Sequence, residues 1–218
     1  AMYLASAPIY WIKVRTLEFQ CNPIASNLIN FAENYPDPRI NPPNIAPILI
    51  AMKTNALPTR IQTQRVNFSH ADDRRALVML LDHYALDPMG GSTPLSDDVK
   101  ARLCDDLATL SHAVSFLAWD GTLAVGLINC FEGYSTFKAK PLLNVHDIIV
   151  HSSFRRQGIG QVLLFAAQDE AQRRGCCKLT LEVLTGNTRA MASYEHFGFA
   201  GYQLDPAAGH AVLMQKWL

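Results

Sequence analysis

The segment Asp147–Gln161 holds the residues whose types and spacing most clearly suggest chemistry. An apolar stretch runs into a short turn containing Arg155, Arg156, Gly158 and Gly160, and the turn leads directly into a predicted helix. Glycines allow a ligand to approach the main chain closely, the first N–H groups of a helix lack partners, and the helix dipole favours negative charge. The pattern predicts an anion-binding site, although a tight strand-to-helix turn without a ligand fits the same residues.

Two well-known phosphate motifs do not account for this turn. A P-loop needs Gly-Lys followed by Ser or Thr, which the segment lacks. A dinucleotide-binding fingerprint needs a third glycine at position 163, where this chain has Leu163. The Gly158-x-Gly160 pair alone is therefore a weak signal.

A second block downstream makes the first more informative. Leu181-Glu182-Val183 ends a predicted strand, and a predicted helix follows with the pattern Asn187-x-x-Ala190-x-x-x-Tyr194-x-x-x-Gly198-Phe199. Taken together and in this order, the two blocks resemble the GNAT superfamily of N-acetyltransferases over residues 61–218. The spacing between Glu182 and Tyr194 resembles that of the ribosomal-protein alanine N-acetyltransferases.

The resemblance implies acetyl-coenzyme A as the co-substrate and no metal. It implies that the turn binds the diphosphate and that the preceding strand pairs with the pantetheine arm, because this strand splays from its neighbour in the family. The residues expected to contact the co-substrate are Ile148, Ile149, Val150, Arg155, Arg156, Gln157, Gly158, Ile159, Gly160, Gln161, Asn187, Ala190 and Tyr194.

Acetyl transfer to an amine needs a neutral nucleophile, a polarised carbonyl and a proton for the leaving thiolate. Alkyl amines have a pKa of roughly 10, so a base or a water relay must deprotonate them. We predict Tyr194 as the acid and either Glu182 or Asp147 as the base, with water-mediated transfer as the alternative. A main-chain N–H near Ile149 or Val150 is the predicted oxyanion donor. A packed tyrosine and two solvated carboxylates would explain the same residues without catalysis.

The acceptor is less well specified by the sequence. The loop after the first predicted helix contains Tyr84 and Asp87, which could receive an amine or could serve as a core residue and a turn cap. A small-molecule primary amine is the favoured acceptor. The alternatives are a protein N-terminus or lysine, and a non-catalytic module that binds acyl-coenzyme A.

The hydrophobic pattern predicts an α/β domain from residue 61 onward. The Asp120-Gly121 turn between two apolar runs indicates a hairpin, and Ser69 and Ser96 are predicted helix N-caps, with Asp72 in a capping box after Ser69. The family resemblance implies a mixed, mostly antiparallel sheet of about seven strands with four helices, splayed between strands 4 and 5. The predicted strands are Ile61–Phe68, Ala113–Trp119, Thr122–Phe131, Leu142–Val150, Lys178–Leu184, Tyr202–Leu204 and Ala211–Trp217, and the later helices are Gln161–Arg174 and Thr188–Phe197.

Residues 1–60 differ in character from the rest. Six prolines between positions 36 and 58 interrupt each apolar run, which makes an independent core improbable. We predict an extension that packs on the main domain or on a partner. Alternatively, Met52 is the natural start of the protein.

Composition excludes several classes of function. The chain has 218 residues, 49% of them hydrophobic, and 19 basic against 19 acidic residues, so a strongly basic nucleic-acid-binding surface is excluded. No apolar run reaches the roughly 18 residues of a membrane span. The five cysteines show no ligand spacing, which favours reduced thiols in a cytoplasmic protein. The apolar end Trp217-Leu218 favours a homodimer formed through C-terminal strands.

Overall fold

The computed structural model describes residues 61–201 and 212–217. The predicted extension over residues 1–60 and the strand predicted at Tyr202–Leu204 lie outside this range. Within it, no helix has the length and apolar character needed to cross a membrane.

Five strands and four α-helices make up the described fold. The strands form one sheet in the order β1-β2-β3-β4-β5, with antiparallel neighbours except for the parallel pair β4 and β5. The strands are β1 Ile61–Arg65, β2 Ala113–Asp120, β3 Leu123–Ser135, β4 Lys140–Val150 and β5 Leu179–Leu181. The helices are α1 Ala71–Ala85, α2 Asp97–Thr109, α3 Ile159–Arg173 and α4 Thr188–Phe197, and a short 3-10 turn spans Ser152–Phe154. The predicted mixed sheet with four helices is confirmed.

Helices cover both faces of the sheet. On one face, α3 packs against apolar side chains of β2, β3 and β4 through three fully buried residues, Leu163, Leu164 and Ala167. On the other face, Leu77 and Leu80 of α1 are fully buried together with residues of α2. Each buried leucine contributes about 1.5–3 kcal/mol of transfer free energy, so α1 and α3 are held firmly against the sheet.

Local signals in the sequence placed the hairpin and the second helix correctly. β2 ends at Asp120 and β3 begins at Leu123, with Gly121 at φ 61° in the turn. The Ser96 hydroxyl accepts a hydrogen bond from the N–H of Val99 at 3.3 Å, which is the predicted cap of α2.

The predicted start of the first helix is wrong. α1 begins at Ala71 with His70 as its N-cap and no side-chain cap, instead of following Ser69. The buried carboxylate is Asp73, not Asp72: Asp73 accepts from the N–H of Asn67 at 2.8 Å and from Gln64 Nε2 at 3.2 Å. These contacts tie the helix to the end of β1 and thereby replace a local capping box.

Two predicted strands are also shorter or absent. The strand predicted over Lys178–Leu184 covers only Leu179–Leu181, because β4 pairs with it over three residues and then diverges. The strand predicted over Ala211–Trp217 is not formed within 212–217, whose residues are exposed and without regular structure. The described sheet therefore has five strands where seven were predicted.

Candidate active site

A β-bulge at His146 determines which way the second half of β4 faces. Asn129 of β3 pairs with Asp147, whereas the next residue, Cys130, pairs with Val145, so His146 is an extra residue in β4. Side chains alternate between the faces of a strand, and one extra residue exchanges the faces beyond it. Val145 therefore packs on the face of the sheet that α3 covers, which we call the α3 face. Ile149 packs on the opposite face, which α1 covers and which we call the α1 face. Asp147 is turned to the α1 face for the same reason.

The bulge coincides with the opening of the sheet. β4 pairs with β5 only from Leu143 to Val145, so the edge of β4 from His146 to Val150 faces a gap. The predicted splay between strands 4 and 5 is thus confirmed. The gap leaves one side of the β4 main chain without a strand partner in the described part of the chain.

The hydrogen-bond alternation of β4 shows which main-chain groups face this gap. The N–H of His151 donates to the carbonyl of Val125 at 2.9 Å, so Ile149 and Asp147 direct their main-chain groups toward β3 as well. Ile148 and Val150 then direct theirs toward the gap. The carbonyl of Val150 accepts from Arg155 Nε at 3.2 Å.

The turn after β4 has the main-chain conformation of an anion cradle. Gly158 lies in the left-handed region at φ 77° as the N-cap of α3, and Arg156, which is not a glycine, lies there at φ 66°. Left-handed conformations cost a non-glycine residue free energy and are often found at functional sites. Within residues 61–201 and 212–217, the N–H groups of residues 156–160 donate no hydrogen bond. Five donors are therefore collected at the N-terminus of a helix.

The predicted residues on α3 and α4 connect these two helices or cap them. Gln161 Nε2 donates to the carbonyl of Ser193 at 3.0 Å and to its hydroxyl at 2.9 Å. The Asn187 carboxamide oxygen accepts from the N–H of Ala190 at 3.2 Å and caps α4. The second predicted block is thereby held beside the start of α3.

The loop after α1 is attached to the turn after β4. Asp87 forms an ion pair with Arg155 at 2.8 Å and accepts from the N–H of Met89 at 2.9 Å. The Met89 N–H, followed by Arg155, lowers the pKa of Asp87 below its ordinary value. His83 Nε2 accepts from the N–H of Ser152 at 3.3 Å. Asp87 is one of the two predicted acceptor contacts, but its carboxylate already binds Arg155 and the N–H of Met89.

His83 makes this attachment sensitive to acid. Its ring stacks on that of His151 at 4.5 Å, and burial, followed by the charges of His151 and Arg155, lowers its pKa below 6.5. The unfolded chain therefore takes up this proton at a higher pH than the folded protein does, so the contribution of His83 to stability is complete above pH 6.5 and declines as the pH falls. We expect the free energy of unfolding in urea to fall between pH 7.5 and 5.5, and to fall less in His83→Gln, whose amide keeps an acceptor without titrating. An equal fall in both proteins would contradict this prediction.

Gly90 is required for the path of the same loop. A Cβ at this position would overlap the carbonyl oxygen of Tyr84 and lie 3.3 Å from the Cα of Ala85, both main-chain atoms that cannot rotate away. We expect Gly90→Ala to lower the free energy of unfolding by about 2 kcal/mol or more, because the loop has to move. The matched control is Gly186→Ala, where a Cβ meets nothing within 4 Å and which is expected to be neutral. Thermal unfolding of both variants measures the difference.

Three predicted site residues lie close enough to influence one another electrostatically. Burial, followed by the charge of Asp147, raises the pKa of Tyr84 above its ordinary value. Burial, followed by Tyr84, raises the pKa of Tyr194 to about 12. Tyr84 at the end of α1 is therefore near Asp147 of β4 and near Tyr194 of α4. The Tyr194 ring packs on Phe199, with ring centres 6.0 Å apart.

Two buried residues that belong to no predicted motif support Asp147. Asn129 Nδ2 donates to Asp147 Oδ2 at 3.0 Å, and the Ser115 hydroxyl donates to Asn129 Oδ1 at 2.7 Å. Both residues lie inside apolar strands, and a polar residue in such a run is a signal that could have revealed them.

Glu182 has a different environment from Asp147. It is exposed and follows the last residue of β5, at the start of the gap. In the part of the chain that the structure describes, its side chain forms no hydrogen bond or ion pair. Of the two predicted bases, Asp147 alone has a carboxylate oriented by a hydrogen bond from another side chain of this range.

A wide groove lies elsewhere, between α1 and the β2–β3 hairpin. It has a volume of about 1410 Å³, and its lining includes Gln64, Arg74, Cys104 and Trp119. It shares no lining residue with the gap beside β4 or with the turn that follows.

The geometry of the gap agrees with a comparison against known protein families. The profile of the Acetyltransferase (GNAT) family matches residues 77–199, which include both sequence blocks and the bulged strand. The chain belongs to the GNAT acetyltransferase family. The resemblance inferred from the two blocks is thereby confirmed.

Individual relatives match shorter parts of this GNAT chain. A thialysine N-epsilon-acetyltransferase from Bos taurus is 36% identical over 78 residues, which is 36% of this chain and 45% of the relative. A ribosomal protein bS18-alanine N-acetyltransferase from Escherichia coli is 43% identical over 53 residues, 24% of this chain and 36% of the relative. The chain thus spans less than half the length of these curated relatives.

Solved structures support the GNAT fold over a larger share of the chain. An aminoglycoside N-acetyltransferase, AAC(6')-Iy in complex with CoA, superimposes with a TM-score of 0.58 at 18% identity, covering 72% of this chain and 94% of that one. At this level of identity the similarity concerns the fold alone.

Proposed function

We propose that this protein is an acetyl-coenzyme A-dependent N-acetyltransferase that transfers the acetyl group directly to a primary amine in a ternary complex. The observation that carries the proposal is the open edge of β4 next to a turn whose N–H groups are unpaired in the described range. An unpaired strand edge and unpaired turn donors are costly unless a ligand or solvent satisfies them. An amide chain that ends in a diphosphate matches both.

The residues present fit the coenzyme without a metal. The carbonyl of Ile148 and the N–H of Val150 would pair with the pantetheine arm, and the N–H groups of residues 156–160 would hold the diphosphate. Arg156, which is exposed, supplies a positive charge beside them. Bound there, the coenzyme supplies the acetyl thioester.

The reaction needs a base for the ammonium form of the acceptor, and we assign this role to Asp147. Its carboxylate is directed to the α1 face beside Tyr84, and Asn129 orients it. Glu182 is the second candidate, since it stands at the mouth of the gap. The N–H of Ile148, which faces the gap and lies farther from the diphosphate turn than Val150 does, is the favoured donor to the thioester oxygen, because the N–H of Ile149 is used by β3.

We assign Tyr194 as the residue that donates a hydrogen bond to the leaving thiolate. With a pKa of about 12 the phenol is protonated throughout the physiological range and always available as a donor. An alkyl thiol has a pKa of about 8.5, so complete proton transfer from this phenol would be uphill by roughly 4–5 kcal/mol. Tyr194 therefore stabilises the developing thiolate by a hydrogen bond, and the proton released by the amine completes the exchange.

A small-molecule amine is the favoured acceptor, supported by the similarity to the thialysine N-epsilon-acetyltransferase. A protein N-terminus is the second candidate, favoured by the similarity to the bS18-alanine acetyltransferase. The third is a non-catalytic acyl-coenzyme A binder, which would need neither Tyr194 nor a base.

Two measurements test the proposal. Calorimetry with coenzyme A tests binding, and release of free thiol from acetyl-coenzyme A in the presence of a panel of primary amines and N-terminal peptides tests transfer. Binding with transfer supports the enzyme, and binding without transfer to any acceptor supports the binder. Absence of binding overturns the proposal.

We further propose that the protein acts in the cytoplasm as a homodimer. The exposed apolar side chains of Val212, Leu213, Met214 and Trp217 provide apolar surface for such a contact. Light scattering at micromolar concentration tests the dimer, and a monomer there would contradict it.

A further inference from the structure

A line of three polar side chains crosses β2, β3 and β4 on the α1 face of the sheet. Ser115 of β2 donates to Asn129 of β3 at 2.7 Å, and Asn129 donates to Asp147 of β4 at 3.0 Å. Ser115 is 2% exposed and Asn129 is 3% exposed. Burying two polar side chains costs free energy unless each is hydrogen-bonded, so such a pair in an apolar sheet calls for a reason.

The direction of the hydrogen bonds gives that reason. An ionised carboxylate only accepts hydrogen bonds, whereas a carboxamide has one accepting and one donating end. Ser115 donates to the oxygen of the Asn129 amide, which leaves the NH₂ group pointing at Asp147. Asn129 with its amide reversed would present an oxygen to the carboxylate. The ionised carboxylate of Asp147 thus selects this amide orientation, and the Ser115 hydroxyl satisfies the buried amide oxygen that faces away from it.

The line also determines which carboxylate oxygen remains for other partners. Asn129 binds Oδ2 of Asp147, and within the described range Oδ1 accepts no side-chain hydrogen bond. The bulge at His146 is what brings Asp147 into register with Asn129. Burial, followed by the charge of Asp147, raises the pKa of Tyr84 of α1 and of Cys130 of β3.

We infer that Ser115 and Asn129 are positioning residues, which hold the carboxylate of Asp147 with Oδ1 directed at the acceptor amine. This inference rests on the proposed function, since it assigns a role to the base of that reaction. The proposed site then includes residues of β3 and β2 as well as the edge of β4 that faces the gap. Neither residue touches the acceptor itself.

The test is a double-mutant cycle between Asn129→Leu and Asp147→Asn. We expect Asn129→Leu to lower kcat/KM for the amine by about 10-fold or more, because a hydrogen bond to a charged group is lost. In the Asp147→Asn background the same substitution is expected to change kcat/KM by less than about twofold, because no charge remains to be positioned. The KM for acetyl-coenzyme A is expected to stay unchanged throughout.

Ser115→Ala provides a second, gentler variant in the same cycle. It removes one buried hydroxyl and no volume beyond that, and it is expected to lower kcat/KM by about 3-fold or more in the wild-type background only. This cycle decides the question if Asn129→Leu does not fold. The matched control is Asn144→Leu, the same substitution on β4 at a residue that bonds Thr180 at 3.0 Å and not Asp147, and its kcat/KM is expected to stay at the wild-type value.

Each outcome bears on one claim. Equal losses from Asn129→Leu, or from Ser115→Ala, with and without Asp147 mean that the line serves packing alone, which overturns this inference and leaves the proposed function standing. An absence of acetyl transfer by the wild-type protein overturns the proposed function, and this inference with it.

Discussion

Replacing Tyr194 with phenylalanine is expected to lower kcat by about 10²–10³-fold while the affinity for coenzyme A stays within about twofold. The phenol is the donor that we propose for the leaving thiolate, and burial raises its pKa to about 12, so it is protonated throughout the physiological range. Its loss leaves the developing thiolate without a partner. The ring itself is retained, so packing on Phe199 is expected to persist.

The control for this variant is Tyr134→Phe. Tyr134 lies at the far end of β3 and is 63% exposed, so the loss of its hydroxyl should change neither kcat nor binding. Single-turnover release of thiol, with coenzyme A affinity from calorimetry, separates chemistry from binding. A Tyr194→Phe enzyme with wild-type kcat would remove Tyr194 from the mechanism, and a water would then have to donate to the thiolate.

The elements that the sequence predicted well are those determined by neighbouring residues. The hairpin follows from Asp120-Gly121, and the end of α3 follows from Gly175 at φ 70°. The start of α1 was predicted wrongly because Asp73 bonds to the end of β1 and not to its own helix terminus. Contacts of this kind depend on how the chain packs and leave no local pattern.

The same distinction applies to the site. Tyr84, Asp147 and Tyr194 were predicted from their types and from the family resemblance, and in the structure Tyr84 is near each of the other two. The bulge at His146 has no signature in the sequence, since it follows from the register of β3 against β4. The hydrogen bonds from Ser115 to Asn129 and from Asn129 to Asp147 could not be predicted, because they depend on that register.

The choice between the two predicted bases follows from the bulge. Without the extra residue at His146, Asp147 would face α3 among apolar side chains, where a carboxylate would be costly. With it, the carboxylate reaches the α1 face, receives a hydrogen bond from Asn129 and lies near Tyr84. In the proposed reaction, the bulge that coincides with the gap would thus also present Asp147 to the acceptor.

We therefore expect Asp147→Asn to lower kcat/KM for the amine by about 10²-fold or more, because the isosteric amide keeps the shape of the site but cannot accept the proton of the ammonium group. The companion variant Glu182→Gln is expected to change kcat/KM by less than about threefold, since the exposed Glu182 side chain has no partner that orients it in the described range. Both are measured with the same amine and with acetyl-coenzyme A in excess. The reverse ranking would assign the base to Glu182 and leave Asp147 as a binding group. Small losses in both would instead require a water relay, because an ammonium acceptor cannot attack the thioester until some group has taken its proton.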